Sequence, residues 1–116
     1  MKGQSLEMDG LQVILARGFL ARLVGLLGQR ALPLNQALLI TPCNNVHTFF
    51  MRFAIDVVFL DRAGMVLAIV PHLGPWRIAA ARRAHACLEL AAGGAARCGL
   101  TVGQSLPQLA ATSLPR

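Results

Sequence analysis

Cys43 to Asp61 carries three polar residues able to do chemistry, His47, Arg52 and Asp56, embedded among large hydrophobes. A guanidinium forks onto a carboxylate or a phosphate, and an imidazole or a carboxyl group can hold or move a proton. Asp56 sits between Ile55 and Val57, with Val58 and Leu60 on its own face. A carboxylate there is costly unless it is paired or hydrogen-bonded. Arg52, near in sequence, and Arg77 are the obvious partners. The pattern supports either a ligand-positioning acid or a structural ion pair that fixes the corner, and the second is the plainer reading.

Other residues compete for the same attention. Cys43 and His47 are four apart, a spacing open to nucleophilic catalysis or metal binding, although a lone His in an apolar strand is more often a hydrogen-bonded core residue. In a strand beginning at His85, alternation places His85, Cys87 and Glu89 on one face as potential metal ligands. Strand-borne zinc sites more often show a CxxC or HxH pair, and the plainer role for Glu89 is pairing with an arginine. Trp76 and Arg77 follow Gly74-Pro75; Trp76 is either a stacking or cation–π rim or an anchor covering the edge of the core. The sequence contains no glycine-rich phosphate loop, dinucleotide fingerprint or GxSxG,.

These residues need a frame. Leu11 to Ala16 is short and apolar, as a first strand should be. From Gly18 the period changes: Phe19, Leu20, Leu23, Val24 and Leu27 recur at helical spacing, and Gly28 stops the pattern. The spacing predicts one main helix over 18–28. Ala37 to Ile40 reads as a buried strand, Val46 to Met51 as an extended segment, and Ile55 to Leu60 as a further strand. Asp61-Arg62-Ala63-Gly64 supplies a turn, so Met65 to Val70 should return antiparallel. Cys87 to Leu90 is another strand closed by Gly93-Gly94. Ala95 to Cys98 suits a helical turn ended by Gly99, and Leu100 to Leu106 a last strand.

The expected architecture is a compact, β-rich α+β domain over 11–106, a small mixed or antiparallel sheet or barrel-like body. Residues 1–10 are expected to be a flexible N-terminus and 107–116 a frayed tail.

With 116 residues the chain can bury a core without metal or disulfide staples,. Its hydrophobic share of 55% is high and its charged share of 14% low, so it buries much of itself or leaves an apolar face for a partner,. The net charge of +6 reflects scarce acids: Glu7, Asp9, Asp56, Asp61 and Glu89 are the only five. The bases are spread out, with Arg82-Arg83 the only adjacent pair, unlike a clustered nucleic-acid surface. Three cysteines without a CxxC fit a reducing compartment,. The polar start is no signal peptide, and no apolar run approaches the ~20 residues that span a bilayer. A soluble, cytoplasmic protein is expected.

The helix from Gly18 to Gly28, the segment His47 to Asp61, and Leu88-Glu89-Leu90-Ala91-Ala92-Gly93 occur in that order. Together they resemble the bacterial DUF192 family over roughly 11–106. The resemblance implies a compact β-rich fold with one main helix and no particular activity. In the commonest form of the family, a Met-Lys-Asn-Thr segment leads through a proline to a Leu-Asp pair. Here Met51-Arg52 runs straight into Phe53-Ala54-Ile55-Asp56. Many relatives look exported, whereas no export signal or lipoprotein anchor is expected here.

The sequence therefore favours a binding module in which His47, Arg52, Asp56 and Glu89, rimmed by Trp76 and Arg77, line a pocket for a small anionic ligand or a peptide terminus. The alternatives are a hydrolase-like or metal-assisted enzyme using Cys43 and His47 or His85, Cys87 and Glu89, and a protein-interaction domain. No cofactor and no nucleic-acid partner is expected.

Overall fold

Three strands of this protein, β3 (Gln36–Thr41), β5 (Ile55–Leu60) and β8 (Ala86–Ala91), are buried along almost their whole length. Their sequences, QALLIT, IDVVFL and ACLELA, are near-continuous apolar runs rather than alternating ones, as expected where both faces of a sheet are covered. The structure is a computed structural model that describes residues 5–8, 10–17 and 32–115. The other strands are β1 (Ser5–Met8), β2 (Leu11–Arg17), β4 (Asn45–His47), β6 (Val66–Leu73) and β7 (Ile78–Ala80). One four-residue helix, α1 (Gly94–Arg97), follows β8.

Six strands form one open mixed sheet in the order β1-β2-β3-β8-β5-β6, and β4 and β7 pair in a separate two-stranded ribbon. Only β2 and β3 run parallel; the other neighbours are antiparallel. The sheet keeps two edges, β1 and β6, and does not close into a barrel. On one face Val13, Leu39, Val58, Leu60, Leu88 and Leu90 pack beneath Ala95, Leu100, Leu106 and Leu109. On the other Leu38, Ile40, Val57, Phe59 and Cys87 pack beneath Val46 and Met51. The ribbon is thus a lid on the second face.

The strands expected around 11–16, 37–40, 55–60 and 87–90 are all present, and so is the 61–64 hairpin. There the Asp61 carboxylate accepts the N–H groups of Ala63 and Met65, both at 2.9 Å. Gly64 has φ +83, and a Cβ on it would lie 2.2 Å from the Leu106 carbonyl oxygen, so this turn requires glycine,. The helical turn stopped by Gly99 is present as α1. The helix expected over 18–28 lies outside the described residues.

Four expectations need correction. Ser5–Met8 is not a flexible tail: it pairs with β2, and Met8 is buried. The segment after 106 is not frayed either. It forms two 3-10 turns, Pro107–Leu109 and Ala111–Ser113, and Leu109 is only 1% exposed. Burying that leucine contributes about 2 kcal/mol toward ordering the segment. The Ala111 N–H donates to the Arg62 carbonyl, and Arg17 donates to the Pro115 carbonyl. Leu100 to Leu106 is a loop touching the hairpin through one isolated bridge, Met65 to Ser105. Finally, β4 ends at His47, and residues 48–51 turn instead of extending.

Candidate functional site

The turn after β4 is built on Thr48, which is fully buried. Its N–H donates to the Arg77 carbonyl at 2.9 Å, and its Oγ1 accepts the Arg77 N–H at 2.9 Å. The hydroxyl proton goes to the Gly74 carbonyl, 2.5 Å away. The Thr48 carbonyl accepts from Trp76 at 3.0 Å and Met51 at 3.2 Å. One side chain and its peptide groups thus lock residues 48–51 against residues 74–77, where β4 and β7 would otherwise simply diverge.

That lock displays rings. His47 stacks on Phe49 with centroids 4.7 Å apart and planes inclined by 28°. Phe49 stacks on Trp76 at 5.7 Å and 27°, and Phe50 meets Trp76 edge-on at 4.8 Å and 61°. Phe50 has φ 68 and Trp76 has φ 62, the left-handed region that bulky side chains avoid,. Both remain largely exposed, at 67% and 59%. Strain of this kind persists only where the surroundings over-determine it, and it concentrates at functional positions. Ile78, opposite His47 across the ribbon, is also exposed, as are Arg52 and Arg77.

His47 also borders a groove of about 240 Å³ whose lining includes Ile40 and residues 42–47. A second hollow of about 230 Å³ shares Pro42, Cys43 and Asn44 and reaches Ala84 and His85. The Cys43 thiol donates to the Asn45 carbonyl at 3.0 Å, and the Cys87 thiol approaches the Cys43 carbonyl at 3.5 Å. Between the groove and the rings, His47 is the shared residue.

The structure separates the rest of the expected pocket. Asp56 is 1% exposed, and its Oδ1 accepts the N–H groups of His72 at 2.9 Å and Gly93 at 3.1 Å. Its Oδ2 accepts the Ala95 N–H at 2.9 Å. Asp56 therefore ties β6 and the start of α1 to β5, and among the described residues it pairs with neither Arg52 nor Arg77. Glu89 is fully buried and stands opposite Val57 and Leu38, on the ribbon side of the sheet. Asp56 stands opposite Leu90, on the α1 side. The two carboxylates thus occupy opposite faces, because β5 and β8 pair out of phase for them.

His85 lies just before β8, and no three His, Cys, Asp or Glu side chains among the described residues converge to hold a metal ion. The alternation of His85, Cys87 and Glu89 does not become a ligand set. With Asp56 and Glu89 buried, two of only five acids are withdrawn from the surface. The exterior is correspondingly basic, and Arg52 and Arg77 flank the ring cluster in chain position. Of the expected site residues, His47, Trp76 and Arg77 come together through the Thr48 lock and the ring stack, and Arg52 comes next in the chain after that turn. Asp56 and Glu89 do not join them. Thr48, Phe49 and Phe50 were missed as site residues; the run of two phenylalanines in a polar turn was the available signal.

No helix among the described residues is long and apolar enough to cross a membrane. Two solved structures share the fold. One is a candidate transcription regulator from Sinorhizobium meliloti 1021, 24% identical, with a TM-score of 0.72 over 82% of this chain and 79% of that one. The other is a protein of unknown function from Novosphingobium aromaticivorans DSM 12444, 20% identical, with a TM-score of 0.70 over 90% of this chain and 91% of that one. No curated protein matches. The profile of DUF192, described as Uncharacterized ACR, matches residues 3–108, which include every strand described above. The chain belongs to the DUF192 family.

Proposed function

We propose that this chain is a small binding module that holds an anionic ligand or a peptide terminus against the ring cluster at the end of the β4–β7 ribbon. One observation carries this reading: two aromatic residues, Phe50 and Trp76, are kept in left-handed backbone and yet left more than half exposed. Strain of about 1–3 kcal/mol at each residue is only partly offset by their ring contacts, worth about 0.5–1.5 kcal/mol,. Arg52 and Arg77 supply positive charge, Arg as a planar fork suited to carboxylate or phosphate. His47 adds a ring nitrogen at the inner end of the stack.

The platform is open, so affinity should be modest and set by a few contacts rather than by enclosure. A cytoplasmic setting accords with the three cysteines, which carry thiols rather than disulfides,. A second reading, a docking face for another protein, is favoured by Ile78, which extends the exposed apolar surface from the rings onto β7.

Trp76 is the only tryptophan and reports directly on its surroundings. Titration with phosphate, acetate and short peptides should give a saturable change in its emission and a rise in melting temperature. The change should weaken in Arg77→Ala. A flat emission signal and an unmoved melting temperature across the panel would remove the proposal.

A further inference from the structure

We infer that the ligand of this platform is a small molecule in which a flat ring carries the anionic group, and that the ring supplies most of the recognition. This rests on the reading above. A bare anion would use only the arginines, because the face of an aromatic ring is its negative side and gives an anion no attraction. Arginines alone would serve such a ligand, and the strained display of Phe50 and Trp76 would add nothing. A ring-bearing anion fits both halves of the site: its ring lies on aromatic surface while its charged group reaches a guanidinium.

The geometry suits this division. His47, Phe49 and Trp76 form a run of rings whose successive planes differ by 28° and 27°. More than half of Trp76 is exposed, which leaves ring surface there for a ligand to stack on. Phe50, turned by 61° to Trp76, offers an additional contact at its corner. Arg77 follows Trp76 directly, and its N–H and carbonyl are both fixed by Thr48, so charge and ring leave the backbone at a set spacing. The Thr48 hydrogen bonds already hold both segments that carry the rings, which lowers the ordering that binding requires,.

Calorimetric titration of the full chain with two matched pairs tests this: an adenine mononucleotide against ribose phosphate, and benzoate against acetate. Within at least one pair the ring-bearing member should bind about tenfold or more tightly than its ringless partner. Trp76→Ala should bring the two to parity, while Trp76→Phe retains the preference. Phe50→Leu, at an exposed position, provides a second variant and should narrow the gap. Which pair shows the preference separates a nucleotide from an aryl carboxylate. Equal binding of ring-bearing and ringless members overturns this inference and leaves the anion-binding reading standing. Absence of binding by all four overturns both.

Discussion

Thr48 and Arg77 hold one another through a reciprocal pair of hydrogen bonds, Thr48 N–H to the Arg77 carbonyl and Arg77 N–H to Thr48 Oγ1, each 2.9 Å long. Because Thr48 is fully buried, neither bond is readily replaced by water. Thr48→Val keeps the shape but removes the oxygen, leaving the Arg77 N–H and the Gly74 carbonyl without that partner. A loss of about 1–3 kcal/mol in urea unfolding is expected, together with weaker ligand binding. Thr48→Ser should recover most of both. Unchanged stability in Thr48→Val would show that the lock is not energetically important.

Asp56 presents a different case, since its carboxylate accepts three backbone N–H groups from two separate segments. Asp56→Asn preserves volume but turns one acceptor into a donor that faces N–H groups. The expected cost is about 3 kcal/mol, read as a lower denaturant midpoint at unchanged slope. Ligand binding by the surviving folded fraction should be unaffected, because Asp56 lies on the face away from the rings.

Gly64 and Gly103 allow strain and collision to be told apart. Both have positive φ, +83 and +90, but a Cβ at Gly103 meets nothing within 4 Å, whereas one at Gly64 meets the Leu106 carbonyl at 2.2 Å. Gly103→Ala should therefore cost only the backbone term, about 1–2 kcal/mol. Gly64→Ala should cost clearly more, about 3 kcal/mol or above, because the hairpin and the 106 segment must also part. Equal thermal shifts in the two variants would refute this.

Phe50→Gly should separate stability from function. Relief of the left-handed strain offsets the lost edge contact with Trp76, so unfolding free energy should stay within about 1 kcal/mol of the parent. Binding of a ring-bearing anion should fall even so. A large loss of stability would mean that Phe50 packs as a core residue, contrary to its exposure.

The central strands were legible because burial on two sides writes itself into sequence as unbroken apolar runs, as in Val57-Val58-Phe59-Leu60. The 61–64 hairpin was legible because Asp and Gly have local turn chemistry. The ribbon was not. β7 is Ile78-Ala79-Ala80, too short and too small in side chain to show a period, and its partner lies over thirty residues upstream. The ring cluster joins residues 47–50 to residue 76 through one threonine, a long-range bond set that no spacing rule reveals. Arg52, Asp56 and Glu89 were each credible as polar residues in apolar company. Their grouping failed because the face a carboxylate occupies depends on register across β5 and β8, which is fixed only when the whole sheet assembles.

The C-terminal cover of the sheet also shapes how this protein must be made. Every strand among the described residues has been synthesised once Ala91 is joined to the chain, yet one face of the sheet still lacks Leu100, Leu106 and Leu109. Until residue 109 is added, Val13, Leu39, Val58 and Leu88 have no complete roof. Any chain released without those residues would carry its strands with a sticky side, a state in which misassociation competes with folding. The core closes only with this late segment, so completion of the fold waits on it.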